Sequence, residues 1–212
     1  KRGVELMNTE CLFMLGQLYM VEFQHDPQRL REAAMHFRSF GMRKSNAMLY
    51  LGVLNVLGYD IVSPDTSFLI NFYRHDPGPR AYRIAMLFKQ VEGSYTENVV
   101  EWLKRSVAKG YTKAMLELAM HLEAEGRRLD EAEPHQSRRA FSECSRLYDT
   151  VIKKESNVFA TIRLARLEHE GYVSRVPDKS KIRELLDIAI QGGATVMDIG
   201  RSLMRQYRME RR

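Results

Sequence analysis

Glu117, His121 and Glu125 are each four residues from the next. At 3.6 residues per turn this spacing brings an imidazole and two carboxylates to one helix face, as a metal site would need. A zinc-type site also needs a further His or Cys ligand, and none lies nearby in sequence. The triplet therefore reads as surface residues joined by salt bridges. Two triplets, His25-Asp26-Pro27 and His75-Asp76-Pro77, look paired. They fall at different places in the repeat described below, so they read as turn chemistry and not as a duplicated site. No C-x-x-C pair, Walker-type phosphate loop or G-x-S-x-G elbow occurs. The expectation is a chain with no catalytic residues, metal, cofactor or small-molecule substrate.

The chemistry that the chain does offer is that of arginine. Of its 33 basic residues 23 are Arg; the net charge is +6 and the isoelectric point about 9.3. A guanidinium donates in pairs to carboxylate or phosphate, so the balance points to acidic partners, whether protein or nucleic acid. Biased codon usage would enrich arginine equally well. Arg201, Arg205, Arg208 and Arg212 follow i, i+4, i+7 and i+11 and so lie along one face of a C-terminal helix. Like charges at that spacing repel by about a few tenths of a kcal/mol per pair. The helix dipole offsets part of this in the last turn, and an acidic protein surface or phosphate would offset the rest. Arg127, Arg128, Arg138 and Arg139 fall within residues 126–139, a stretch almost without large apolar side chains. That stretch is expected to form an exposed loop that carries binding specificity. These eight arginines are the candidate partner-binding residues.

The elements that must position them belong to a folded chain. Apolar residues make up 44% and charged residues 28%, with only 6 Pro and 13 Gly, which excludes wholesale disorder. A length of 212 residues suffices for one large domain or a repeat array. No apolar run of about 18 residues occurs, so no membrane insertion is expected. Cys11 and Cys144 lie far apart among helix formers and read as half-buried small hydrophobes, not as a disulfide. Two thiols fit a reducing intracellular compartment, cytoplasm or mitochondrial matrix. The 12 Met, 10 Tyr and 9 Phe fall mostly in apolar stripes and are expected in the core. The chain begins at Lys1 and stops within a helical pattern at Arg212, so the array is expected to continue at both ends.

Self-similarity is the decisive signal. Leu15-Gly16-Gln17-Leu18-Tyr19 is echoed by Leu51-Gly52-Val53-Leu54, and Ala85, Ala119, Ala165 and Gly200 hold the matching place beside Leu or Ile. Positions 16, 52, 85, 119, 165 and 200 are separated by 36, 33, 34, 46 and 35 residues. A small residue there lets the first helix of a hairpin approach its partner closely. No hairpin can bury its apolar stripe alone, so neighbours must stack. Second-helix starts agree: Asp26-Pro27 offers an N-cap and first-turn proline, and Ser94 with Glu97 reads as a capping box. Asp178 precedes the stripe Ile182, Leu185, Leu186 and Ala189, while Trp102, Leu103, Val107 and Ala108 form the equivalent stripe after Ser94. Gly41, Gly110 and Gly192-Gly193 mark hairpin ends.

These residues resemble the Sel-one-like repeat, a relative of the tetratricopeptide repeat. Ala47 to Leu54, with Leu51-Gly52, matches its first helix. Val107-Ala108-Lys109-Gly110 followed by Ala114 matches its hairpin end, as does Ala189-Ile190-Gln191-Gly192-Gly193-Ala194. The second hairpin departs from the pattern, with Phe72-Tyr73-Arg74-His75-Asp76-Pro77 where the family has paired alanines. The resemblance implies an all-α, right-handed superhelical solenoid of antiparallel helix hairpins over residues 1–212, about five and a half hairpins with an insertion near 126–139. It also implies a scaffold or adaptor that binds other proteins, as a subunit of a large assembly. A pentatricopeptide array has a similar period and would imply RNA binding in an organellar ribonucleoprotein. Its regular Pro-Asp turn is matched only at Val176-Pro177-Asp178, which precedes a second helix.

Overall fold

The computed structural model describes residues 2–40, 45–59, 67–74, 76–174, 176–191 and 194–207, with no side chains described for 2–9, 45, 67, 68, 71 and 194–199. Gly41, Gly192 and Gly193, expected at hairpin ends, lie outside the described residues, as does His75 of the second His-Asp-Pro triplet. Among the described residues there are eleven α-helices and no strand. The recurring small residue is buried in every first helix: Gly16, Gly52, Ala85, Ala119, Ala165 and Gly200. The chain divides into two compact units, Lys1–Tyr111 and Thr112–Arg212.

The first unit holds α1 (Arg2–Glu22), α2 (Pro27–Phe40), α3 (Ser45–Val56), α4 (Ser67–Arg74), α5 (Pro77–Glu92) and α6 (Glu97–Ala108). Asp26 opens α2 as its spacing predicts. Its Oδ1 accepts from the N–H groups of Gln28 at 2.9 Å and Arg29 at 3.3 Å. Phe13 packs on Phe40 and Gly16 on Phe37, while Tyr19 meets His36. The two series run in opposite directions along the chain, so α1 and α2 are antiparallel. Phe13 and Gln17 also reach Tyr50 of α3, the latter through a 2.8 Å hydrogen bond. Arg80 fastens α5 to α4, donating to the Phe72 carbonyl at 2.8 Å with its guanidinium over the Phe72 ring.

The N-cap of α6 is Thr96, not Ser94, and its hydroxyl donates to Glu92 at 2.6 Å instead of capping the helix. The buried face of α6 is Val99, Trp102, Leu103 and Ser106, with Ala108 exposed. Ser106 takes the core position because its hydroxyl reaches the buried Gly78 carbonyl at 2.7 Å, satisfying an acceptor near the start of α5.

The second unit holds α7 (Thr112–Leu129), α8 (Pro134–Glu155), α9 (Val158–His169), α10 (Lys179–Gln191) and α11 (Ala194–Gln206). Residues 126–139 are not an exposed loop. Gly126 to Leu129 finish α7 and Pro134 to Arg139 begin α8, which leaves only Asp130 to Glu133 as the turn. The extra residues of the long interval lengthen both helices. Gly126, Leu129 and Ser137 are buried, and Ser137 Oγ donates to the Gly126 carbonyl at 2.9 Å. The other eleven residues of the stretch are exposed as expected, but on helix ends and a short turn and not on one loop. Asn157 caps α9 through Ala160 N–H at 3.0 Å. Asp178 caps α10 through Ser180 N–H at 2.9 Å, and Ile182, Leu185, Leu186 and Ala189 are buried as their spacing predicts.

Both cysteines are free thiols, but Cys11 is exposed where a half-buried position was expected. Met14, Met35, Phe23 and Phe159 are likewise exposed, so not all Met and aromatic residues are core. Burial pushes the Cys144 thiol up to about 12, and the nearby Glu123 charge adds to the shift. Reactivity needs the thiolate. Iodoacetamide at mildly alkaline pH is therefore expected to modify Cys11 in the folded protein and Cys144 only in denaturant. Equal modification of both in the native state, read by mass spectrometry, would contradict this placement. Among the described residues no helix is long and apolar enough to cross a membrane.

Candidate partner-binding site

The second unit sorts its arginines into two groups, those tied into the fold and those left facing outward. The first group gathers around Glu123, a carboxylate on the apolar face of α7 with 3% of its surface exposed. It accepts from Tyr148 Oη of α8 at 2.9 Å, from Arg163 Nη1 of α9 at 3.2 Å and from Arg127 Nη2 at 3.3 Å. One side chain thus links three helices, and its donors satisfy it in a place where an unpaired charge would be costly. Burial, then the Glu123 charge, raises the Tyr148 phenol far above its ordinary range, so it stays a hydrogen-bond donor.

Arg127, an expected partner-binding residue, belongs to this group. It lies 2.6 Å from Glu170 and over the Tyr172 ring. Burial opposes its charge, but the Glu170 and Glu123 carboxylates outweigh burial and raise its pKa. Tyr172 in turn donates to Asp130 at 3.1 Å and stacks on Phe141 at 4.0 Å. A second buried carboxylate, Glu168, follows the same rule. Burial works to raise its pKa, and Lys181 Nζ at 2.9 Å, the Ser174 hydroxyl and the Asp178 N–H outweigh burial, so the pKa is lowered. His121 Nε2 lies 3.8 Å from Glu125, within ion-pair distance. No group of three metal-type ligands occurs among the described residues.

The outward group lies on α8. Arg138, Arg139 and Arg146, with Ser142 and Glu143, line a shallow depression of about 450 Å³. The three arginines are exposed, and none of their guanidinium groups has an ion pair or hydrogen bond among the described residues. Arg138, Ser142 and Arg146 are spaced i, i+4 and i+8, which keeps them on one face. Arg138 and Arg139 were expected from sequence; Arg146 was not, although that spacing was the available signal. The same helix buries Ala140, Phe141, Cys144, Leu147, Tyr148 and Val151 on its other side, so the arginine face is held rigidly. Arg128 is exposed near the end of α7. Arg201 and Arg205 are exposed on α11, whereas Arg208 and Arg212 lie outside the described residues. Glu123, Tyr148 and Arg163 were missed in sequence; the signal was a glutamate in phase with Ala119 on an apolar face.

No family model matches the chain, and no curated protein matches it. Among solved structures, it is similar to a protective antigen present in uropathogenic Escherichia coli strains that displays an SLR fold. The match covers 96% of this chain and 50% of the antigen, at 14% identity and a TM-score of 0.33. The chain thus spans about half the length of that protein. A likeness at this level carries no weight alone. The helical-repeat architecture rests on the chain itself, on its consecutive helix pairs and its recurring buried small residue.

Proposed function

We propose that the protein is a non-enzymatic protein–protein interaction scaffold or adaptor of the Sel-one-like kind, and that the arginine face of α8 grips an acidic segment of a protein partner. The observation that carries this reading is the sorting of charge within one unit. Arg127 and Arg163 are neutralised internally, while Arg138, Arg139 and Arg146 surround an open depression with no partner among the described residues. Planar guanidinium forks suit carboxylates presented in pairs. Protein is favoured over RNA by one feature of the same face. The aromatic rings of α8, Phe141 and Tyr148, are buried and offer no platform on which a base could stack.

The test is a titration with an acidic peptide and with a single-stranded RNA of equal charge, each at two salt concentrations. The acidic peptide is expected to bind. Exposed charge-assisted contacts are each worth about 0.5–1 kcal/mol, so Arg138→Gln, Arg139→Gln and Arg146→Gln together should weaken binding about tenfold or more. Arg127→Gln should leave binding unchanged, since that side chain serves the fold. RNA binding tighter than peptide binding, with a steep fall as salt rises, would replace the protein reading by a nucleic-acid one.

A further inference from the structure

The first helices α3 and α5 meet along a shallow groove of about 210 Å³. α3 also meets α2 and α4, and α5 meets α4 and α6, so the groove lies inside the array and not at an end that a further hairpin would cover. Leu49 and Leu87, both buried, give it an apolar floor, and Met86 lines it with an adaptable thioether. Tyr50 and Tyr82 add two aromatic rings. Tyr50 stacks on Phe37 at 4.9 Å and accepts from Gln17 at 2.8 Å, while Tyr82 lies 5.4 Å from Tyr111. Both rings are thus held in place beforehand, which spares a ligand the cost of ordering them. Sites for cofactors and drug-sized ligands occupy about 300–1,000 Å³. This groove is smaller and suits one large side chain.

One charged group lines the groove, Arg83, and the repeat shows why it is open. Arg83 stands two residues before the small Ala85, as Arg163 stands two before Ala165. Arg163 finds its carboxylate on the preceding first helix, in Glu123, four residues after Ala119. The matching place on α3, four residues after Gly52, is Val56. Arg83 accordingly has no ion pair among the described residues. Its guanidinium touches the Asn46 side chain at 3.5 Å and lies 5.7 Å from the Phe72 ring centroid. Gln90 brings to the same groove an exposed amide with no hydrogen bond among the described residues, a donor and an acceptor that match a peptide group. We infer that the groove between α3 and α5 takes one large apolar side chain from a peptide segment of a partner protein, with a neighbouring carboxylate on Arg83 and a backbone amide on Gln90. The groove belongs to the Lys1–Tyr111 unit and does not depend on the arginine face of α8.

The probes are short capped peptides with Phe-Glu, Phe-Lys or Ala-Glu at the centre of a Gly/Ser sequence. They are titrated into protein carrying carbon-13 on its methionine methyls, with the Met86 signal assigned through Met86→Leu. The Phe-Glu peptide is expected to shift Met86 and to bind at least about tenfold more tightly than the Ala-Glu peptide. It should bind about fivefold more tightly than the Phe-Lys peptide. Arg83→Gln, an exposed substitution, should make the two Phe peptides equal, and Arg83→Glu should reverse their order. With Arg138→Gln, Arg139→Gln and Arg146→Gln in place the Met86 shifts should persist, whatever becomes of binding at α8; their loss would assign the peptide to α8 and overturn the inference. A Met86 signal that none of the three peptides moves overturns it too, as does equal affinity of the unaltered protein for the two Phe peptides.

Discussion

Replacing Glu123 by alanine is expected to destabilise the Thr112–Arg212 unit by about 3 kcal/mol, a loss visible as a lowered urea midpoint for helical circular dichroism. Three contributions set the size. The Tyr148 hydroxyl, on a side chain with no exposed surface, loses its acceptor, at a cost of about 1–3 kcal/mol for an unsatisfied buried donor. The shortened side chain leaves a gap between α7, α8 and α9, worth about another 1 kcal/mol. The lost ion pairs add less than their distances suggest. Arg163 and Arg127 keep 36% and 38% of their side-chain surface exposed, so water takes over much of their solvation.

That ordering makes the prediction specific. If the unpaired phenol dominates, Glu123→Leu should cost nearly as much as Glu123→Ala, and adding Tyr148→Phe should recover about 1–2 kcal/mol. An apolar pair of similar volume commonly replaces a buried polar pair at little cost. If the arginine pairs dominate, Tyr148→Phe should recover nothing, and raised salt should erase most of the difference between wild type and Glu123→Ala. Strict additivity of the two substitutions would show that Glu123 and Tyr148 do not act together.

The fold was readable where its physics is local and periodic. A small residue beside Leu or Ile recurs because each first helix meets its partner closely at that point, and all six positions are buried. Asp26 and Asp178 declare helix starts because a carboxylate that accepts backbone N–H groups is a purely local device. The reading failed where one composition serves two physical ends. Residues 126–139 looked like a solvated loop because they hold few large apolar residues; most are indeed exposed, but they end α7 and begin α8, and the small Gly126 and Ser137 sit where the two helices touch. Ser94 and Glu97 satisfied the capping-box spacing, but the N-cap is Thr96, whose hydroxyl is engaged by Glu92 and leaves α6 without a side-chain cap. At the candidate site, the arginines could be counted but not sorted. Arg127 and Arg138 are alike in sequence and differ only in whether a carboxylate forty-three residues away, Glu170, comes within 2.6 Å.

Gly126→Val is expected to cost about 3 kcal/mol, and Phe141→Leu is expected to return about half of it. A Cβ built on Gly126 would stand 3.0 Å from Cε2 and Cζ of Phe141. That ring cannot yield easily. It is 1% exposed, and Tyr172 stacks on it at 4.0 Å. Alanine at the same place meets two opposed effects, because a helix-interior Gly→Ala change gains about 1 kcal/mol in propensity while the tight contact costs about 1–3 kcal/mol. Gly126→Ala should therefore be mildly destabilising, by about 1 kcal/mol, and the branched methyls of valine should turn that into a clear loss. Displacing α7 from α8 would also stretch the Ser137 hydrogen bond to the Gly126 carbonyl, so the two effects compound. Gly16 stands in the same relation to Phe37, with ring carbons 2.9 Å from the added Cβ, and should respond alike in the Lys1–Tyr111 unit. The helices also set the readout. Trp102, the single tryptophan, lies in α6 of the first unit, so its fluorescence reports Gly16 variants, while hydrogen exchange on α7 and α8 reports Gly126 variants. A Gly126→Val protein as stable as wild type would mean that α7 and α8 can part at this point without loss. Close contact would then not be why glycine stands at position 126.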